Sequence, residues 1–463
     1  MKRHKKTRGN GLRAPQKDAL DQRLLAALKT RSAVLPAAVL QTYLERFWAR
    51  RQIFLEGATR FGSPHYFYDQ TCLVAAARRF QATFERHFGC FQAFFAVKSN
   101  CLPALVRDVV AQGLGLDVSS GLELGGALAL NCPRIVFSGP GKTDSELQLA
   151  LANRPRVILL LDSFGELERV TALVRNQPAG DALRCGVRVH GPVQGKWNKF
   201  GIPLDQLPRM LKAARAVKGL RFCGIQMHSS WNLTPEPQKA MIAAISACLR
   251  NKVPPDLWQS LEFLDIGGGF WPEAGEWLNS ENTLKGSLLQ LIDPKAALPS
   301  VHYYRPSAAL EVFAQQLSQT ISACGPPLCD LAIWAEPGRW ICHGAMHVVL
   351  RVVDRKGPRS VITDSGTHLL GWERPLSEFI PVLNLSQPAR QERSCMIFGS
   401  LCTPSDIWGK TYFGAGIAVG DILLIPDQGA YTYSLRQSFI KPLARVIQYD
   451  GQRLTEIEAS QSA

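Results

Sequence analysis

The sequence predicts an α/β protein made of a (β/α)8 barrel and a C-terminal all-β domain. Three observations carry that prediction. Eight short apolar runs recur between positions 93 and 336, helical patterns lie between them, and β-type runs alone follow Arg339. Strands buried on both faces and followed by amphipathic helices argue for a parallel sheet under helices. Eight such units are the number that closes a barrel; an open doubly wound sheet is the rival that periodicity alone leaves standing.

Taken in order, the chain opens on "MKRHKKTRGNGLRAPQK", basic and without the apolar core of a secretory signal, which predicts a disordered tail over 1–35. Residues 36–64 form a lead-in, part of it expected to pack on the β domain. The barrel is expected over 65–345. Its strands are read from "AFFAV" (93–97), "GLDVS" (115–119), "RIVFS" (134–138), "RVILLL" (156–161), "LRCGVRV" (183–189), "FCGIQMH" (222–228), "LEFLDI" (261–266) and "LAIWAE" (331–336). Segments such as "PALVRDVVAQG", "LDQLPRMLKAARAV" and "QKAMIAAISACLRN" supply the helices. One connection is long: after "GGGF" (267–270) the next helix is expected near Arg305, and such a loop usually carries function or small elements of its own. The β domain, 346–463, is read from "MHVVLRVVD", "RSVITDS", "FIPVLNL", "SCMIFGS", "DILLIPD" and "ARVIQYDGQRLTEI".

Composition sets the class. The 463 residues are 46% hydrophobic and 20% charged, ordinary for a globular chain of two domains. No apolar run approaches the roughly 18 residues of a membrane span. Twelve cysteines without a CxxC pair argue against a zinc site or disulfide framework, so no metal and a reducing cytoplasm are expected. The net charge of +15 reads first as a solvated basic surface and tail, second as attraction for an acidic partner or substrate. No interleaved aromatic and basic motif supports nucleic acid.

A barrel assembles its active site at the C-terminal ends of its strands. Lys98 follows the first run, His228 ends the sixth, Gly267, Gly268 and Gly269 follow the seventh, and Glu336 ends the eighth within "EPGR". Each alone has a structural explanation. A lysine can snorkel from a strand end, a histidine can be a hydrogen-bonded core residue, three glycines can be a turn, and Glu336 can pair with Arg339. Together they offer an amine of lowered pKa able to take an aldehyde, an imidazole to stack on a ring, a backbone cradle for phosphate and a partner for a ring nitrogen. Those are the needs of pyridoxal 5′-phosphate.

With these segments in view, the chain resembles the fold-type III pyridoxal-phosphate decarboxylases, the ornithine/diaminopimelate decarboxylase group, over about 65–445. The resemblance rests on "FFAVKSN", "GLDVSSGLEL", "IVFSGPGKTDSEL", "KFGI", "GIQMHSS", "LDIGGGF", "EPGR", "GSLCTPSD" and "DQGAY", all in the family's order. It implies a barrel plus β domain, and a head-to-tail homodimer with active sites at the interface. It also implies that Lys98 holds the cofactor aldehyde and His228 stacks on the ring. Ser230, Gly268, Gly269, Gly338, Arg339 and Tyr431 would bind the phosphate, and Glu336 would face the ring nitrogen. Asp117 and Glu123 match acidic positions near the cofactor. Cys402 matches a cysteine that enters from the neighbouring subunit to deliver a proton, and Lys199 and Asp406 match positions that pair across that interface.

The expected activity is therefore decarboxylation of an amino acid or amino-acid conjugate. An amino-acid racemase on the same fold and a non-catalytic binding homologue are the alternatives; Glu336 and Cys402 favour decarboxylation. Thr403 stands where an acidic residue follows the cysteine in typical ornithine and diaminopimelate enzymes, and a neutral hydroxyl cannot supply the same charge-assisted bond. "GWERPLSEF" (371–379) keeps Arg374 and Pro375 of an "RPxLY"-like segment but lacks the tyrosine; Arg374 can meet a carboxylate bidentately. These departures point to modified, anionic or carrier-bound substrates, including siderophore-type conjugates.

Overall fold

The computed structural model describes residues 14–29, 32–175, 181–191, 199–371 and 378–459. Eight apolar segments form the barrel strands: β1 (Phe91–Ala96), β2 (Gly115–Val118), β3 (Ile135–Phe137), β4 (Val157–Leu161), β5 (Leu183–His190), β6 (Leu220–Met227), β7 (Phe263–Asp265) and β8 (Ala332–Ala335). Every neighbouring pair is parallel, and β8 returns to pair with β1 through Ile333↔Phe91 and Ala335↔Ala93, so the sheet closes. The open-sheet rival is thereby excluded.

The strands close because their side chains alternate between two apolar environments. Outward residues such as Phe95, Leu116 and Leu159 join the large core beneath the helices. Inward residues Phe94, Val136, Ile158, Leu160, Phe263 and Trp334 fill the barrel interior. Phe263 and Trp334 stack at 3.6 Å between ring centroids. Gly224 lies beside that stack, where a Cβ would collide with the Phe263 ring. This apolar plug fills the barrel interior below the C-terminal ends of the strands.

The β domain is a nine-stranded sheet. The strand His65–Asp69, assigned above to the barrel, belongs to it: it pairs antiparallel with Met346–Gly357 and parallel with Arg445–Tyr449. All five of its residues are buried, so its pattern does not tell one sheet from the other. The lead-in helices Ala37–Trp48 and Arg51–Phe61 pack Leu44, Phe47 and Phe54 against Phe67, Val349 and Leu424 of this domain. The disordered tail expected over 1–35 is corrected in part. Ala14–Lys29, rich in the strong helix formers alanine and leucine, is a helix, and Ala33–Val34 pairs with Tyr303 and Tyr304. Residues 1–13 lie outside the described residues.

The long connection after β7 carries small elements: strand Glu276–Leu278, helix Leu284–Ile292 and strand Tyr303–Arg305. The helix expected near Arg305 begins at Leu310 instead. Pro306 follows Arg305, and the residue before a proline is pushed towards extended backbone. Among the described residues no helix is long and apolar enough to cross a membrane.

Candidate active site

Polar side chains gather where the interior plug ends. β1 runs into a single turn, Val97–Ser99, that presents Lys98. The turn is fixed from both sides: Ser99 Oγ donates to the Ala96 carbonyl at 2.7 Å, and the Tyr431 N–H donates to the Ser99 carbonyl at 2.8 Å. The β domain thus reaches across the barrel mouth through "DQGAY", with Asn100 Nδ2 donating to the Gly429 carbonyl at 2.8 Å.

A cavity of about 440 Å3 opens here. Lys98, His228, Ser230, Gly269, Glu336, Gly338, Arg339 and Tyr431, all expected from the sequence, line it. Lys98 Nζ donates to Asp117 Oδ2 at 2.6 Å, and Ser138 Oγ donates to Asp117 Oδ1 at 2.5 Å. Asp117 therefore lies beneath the amine, fully buried at the end of β2. Glu336 is buried at the end of β8, where Gln226 Nε2 donates to its two oxygens at 3.0 and 3.1 Å. His228 Nδ1 accepts from the Gly268 N–H at 3.2 Å and stands 3.5 Å from Glu336 Oε2.

The glycines are dictated by close approach. Gly267 and Gly269 have φ of +67° and +78°, in the left-handed region that favours glycine. A Cβ at Gly268 would strike the Glu336 carbonyl, one at Gly269 the Ser229 carbonyl, and one at Gly338 the Ser99 side chain. Gly269 and Gly338 thus border the cavity with backbone at positions where a side chain would collide with its neighbours.

The charges are coupled. Burial opposes ionisation of Glu336, yet His228, Lys98 and Arg188 outweigh it and bring its pKa down to about 2. Burial and the neighbouring Glu336 push Asp117 up to about 6, against the pull of Lys98. Burial lowers the pKa of His228. The lowered lysine pKa expected from the sequence is corrected. Burial does act in that direction, but Asp117, Glu336 and Tyr431 overcome it, and Lys98 is held above the ordinary lysine value. The protein without cofactor thus stores a charged ammonium against two carboxylates.

Other expected residues fall elsewhere. Glu123 turns back at the start of helix Gly121–Ala129, where its Oε2 accepts the Ser119 N–H at 2.7 Å, while remaining within the field of Lys98. Gly268 commits its N–H to His228. Arg339 lies over the Trp271 ring at 4.5 Å and the Tyr431 ring at 5.3 Å, and 3.9 Å from Glu378. Cys402 is exposed on a β-domain loop outside the cavity, and Thr403 Oγ1 is 3.1 Å from Ser405 Oγ on the same loop. Asp406 is buried in that loop, accepting from the Leu401 N–H at 2.8 Å and from the Thr367 N–H and Oγ1 at 2.7 and 3.0 Å. Within one chain these bonds shape the Asp406 loop. Lys199 is exposed beside the Phe200 ring, at 5.3 Å. Arg374 lies outside the described residues.

Arg188, Trp231, Trp271 and Glu378 also line the cavity and were not anticipated. Nor were Gln226 and Asp265 beneath it. Arg188, Gln226 and Asp265 carried the same signal as Lys98, a polar residue late in a core strand. Trp231, Trp271 and Glu378 sit on connections, where sequence gives no such cue.

The arrangement places an amine, an imidazole and an ionised carboxylate around one cavity bordered by bare backbone. It can hold a planar, phosphate-bearing aldehyde. A profile of the family described as pyridoxal-dependent decarboxylase, pyridoxal binding domain, matches residues 74–343. The chain is 26% identical over 401 residues to the diaminopimelate decarboxylase of Methanothermobacter thermautotrophicus, spanning 83% of this chain and 86% of that protein. It is 25% identical over 415 residues to the L-glutamyl acyl-carrier-protein decarboxylase of Niallia circulans, spanning 81% and 85%. The solved structure of the M. jannaschii diaminopimelate decarboxylase with L-lysine has the same fold, with a TM-score of 0.72 at 21% identity over 88% of this chain and 92% of that one.

Proposed function

The chain belongs to the pyridoxal-dependent decarboxylase family, matched over residues 74–343, and from that premise we propose which residues hold the cofactor and the substrate. It is a decarboxylase that removes the α-carboxylate of an amino acid or amino-acid conjugate, with pyridoxal 5′-phosphate as cofactor. When bound, that group supplies an aldehyde for an amine and a conjugated ring that accepts the electron pair left by departing CO2.

The residues present fit it. Lys98 is the amine for the aldehyde, because its Nζ stands in the cavity. Ser230, Gly269, Gly338, Arg339 and Tyr431, which line the cavity, would form the phosphate cradle, with Gly268 behind them and bonded to His228. His228 offers the ring its face. Glu336, held ionised, would favour protonation of the ring nitrogen, since an opposite charge at short range favours the cationic form. A carboxylate in that place suits decarboxylation better than racemisation. Asp117, 2.6 Å from Nζ, is placed to take the proton that Lys98 must lose before it can act as an amine; burial and Glu336 raise its pKa and make it a better acceptor than an ordinary carboxylate. The observation that carries this reading is that one cavity is lined by Lys98, His228 and Glu336 together, with His228 Nδ1 3.5 Å from Glu336 Oε2.

Cys402 and Thr403 lie outside that cavity. We place them in a homodimer, with their loop entering the partner's site, Cys402 returning a proton to the carbon that CO2 leaves, and Thr403 and Arg374 meeting the substrate. The net charge of +15 and the neutral Thr403 favour a substrate with an anionic far end or an acidic carrier. Glu378 on the cavity wall favours a far ammonium instead. All twelve cysteines are free thiols, which supports a reducing cytoplasmic setting.

The test is a panel scored for CO2 release, covering diaminopimelate, lysine, ornithine, citryl–amino-acid conjugates and a glutamyl carrier protein. Release from an anionic or carrier-bound member above the free diamino acids supports the anionic reading; the reverse order supports Glu378 as the selector. Racemisation without CO2 contradicts the assignment.

A further inference from the structure

Two carboxylates meet beneath the cavity floor. Asp265 ends β7 and is fully buried. Its register partners are Gln226 on β6 and Trp334 on β8, which places it directly below Glu336. Asp265 Oδ1 accepts the Gly267 N–H at 2.8 Å, while Oδ2, equally buried, has no hydrogen-bond donor among the described residues. Burial and the neighbouring Glu336 carboxylate both oppose ionisation of Asp265.

A buried acceptor without a donor is rare and calls for an explanation. Two adjacent ionised carboxylates in this setting would also repel strongly. One proton between them resolves both problems, turning the orphaned Oδ2 into a donor. The surroundings decide which residue keeps it. Glu336 receives two bonds from Gln226 and lies near His228, Lys98 and Arg188, all of which favour its charge. Asp265 has one backbone N–H, with Glu336 and Asp117 both opposing its ionisation.

We propose that Asp265 is a positioning residue that stays protonated and donates a hydrogen bond to Glu336, fixing that carboxylate as an anion aimed into the cavity. Gln226 performs the same service from β6. Neither residue touches a ligand; both act through Glu336. The proposal rests on the cofactor reading only for what Glu336 faces. The place of the proton belongs to the cofactor-free protein.

Isotope-edited infrared spectroscopy on the cofactor-free chain tests it, at about pH 8 so that ordinary carboxyls, and Asp117, are ionised. The expected result is a neutral-carboxyl stretch that shifts with 13C-aspartate, not 13C-glutamate, and disappears in Asp265→Asn. Asn keeps a donor for Glu336, so D265N should bind pyridoxal phosphate within about threefold of wild type, whereas D265L should bind at least about tenfold more weakly. Absence of an aspartate-sensitive neutral band overturns the proposal, as does D265N losing the cofactor as badly as D265L. The wild-type spectrum decides the matter even if D265L fails to fold. A cofactor that does not attach at Lys98 would defeat the cofactor reading while leaving the infrared band in place.

Discussion

Lys98 Nζ and Asp117 Oδ2 lie 2.6 Å apart at the floor of the cavity, and Asp117 is further fixed by Ser138 Oγ at 2.5 Å. The pair ties the amine's reactivity to its neighbour, because the ammonium must pass a proton on before it can attack. Asp117→Asn keeps the shape and a bond to Ser138 but removes the acceptor. We expect kcat to fall by about 10- to 100-fold, roughly 1.4–2.7 kcal/mol of barrier, with KM changed less. Steady-state CO2 release measures this, and a kcat within about twofold of wild type speaks against Asp117 as the proton acceptor.

Glu336→Gln retains volume and can still bond Gln226, but it removes the charge proposed to face the ring nitrogen. The fold should persist, with a melting temperature close to wild type, while kcat falls by about 100-fold. A shifted absorption band of the bound cofactor would accompany the loss. Unchanged absorption and activity would place Glu336 away from the ring nitrogen.

The β domain carries its own pH dependence. His65 is buried with Nδ1 2.8 Å from the Gly62 carbonyl, and burial, helped by Arg445, pushes its pKa from 6.5 down to about 4. Between those values the folded state binds fewer protons than the unfolded chain. Its contribution is present above about pH 6.5 and is lost as pH falls towards 4, by at most about 3 kcal/mol. Denaturant titrations across that window should show a shallower slope for His65→Gln than for wild type. Equal slopes would contradict the assignment.

Most of the barrel and several residues lining its cavity were legible because one rule governs both. A strand buried on two faces must be apolar, so a polar residue at its end stands out; Lys98, His228 and Glu336 were found that way. His65–Asp69 misled because five buried residues look alike in either sheet, and only the pairing with Met346–Gly357 separates them. Strand Ile407–Phe413 was missed because its apolar run is interrupted by Gly409 and the exposed Lys410. The raised Lys98 pKa depends on two carboxylates brought in from other strands, which no local pattern encodes. Trp231, Trp271 and Glu378 reach the cavity through the path of long connections, set by tertiary packing alone.

The position of Cys402 makes a prediction about assembly. On one chain it is exposed and outside the cavity, so a shared site requires a second copy. Lys98→Ala and Cys402→Ala should each be nearly inactive, yet mixing and re-equilibrating them should restore up to about a quarter of wild-type CO2 release, from mixed dimers with one intact site. No recovery, with mixed dimers demonstrated by native mass spectrometry, would place Cys402 outside catalysis.

The most direct test of the whole account is where the cofactor attaches. Purified protein is loaded with pyridoxal phosphate, reduced with borohydride and digested, and the pyridoxyl mass is located by peptide sequencing. The label is expected on Lys98 and should disappear in Lys98→Ala. A label on another lysine, such as Lys142 in its buried pair with Glu166, or no label at all, would contradict it.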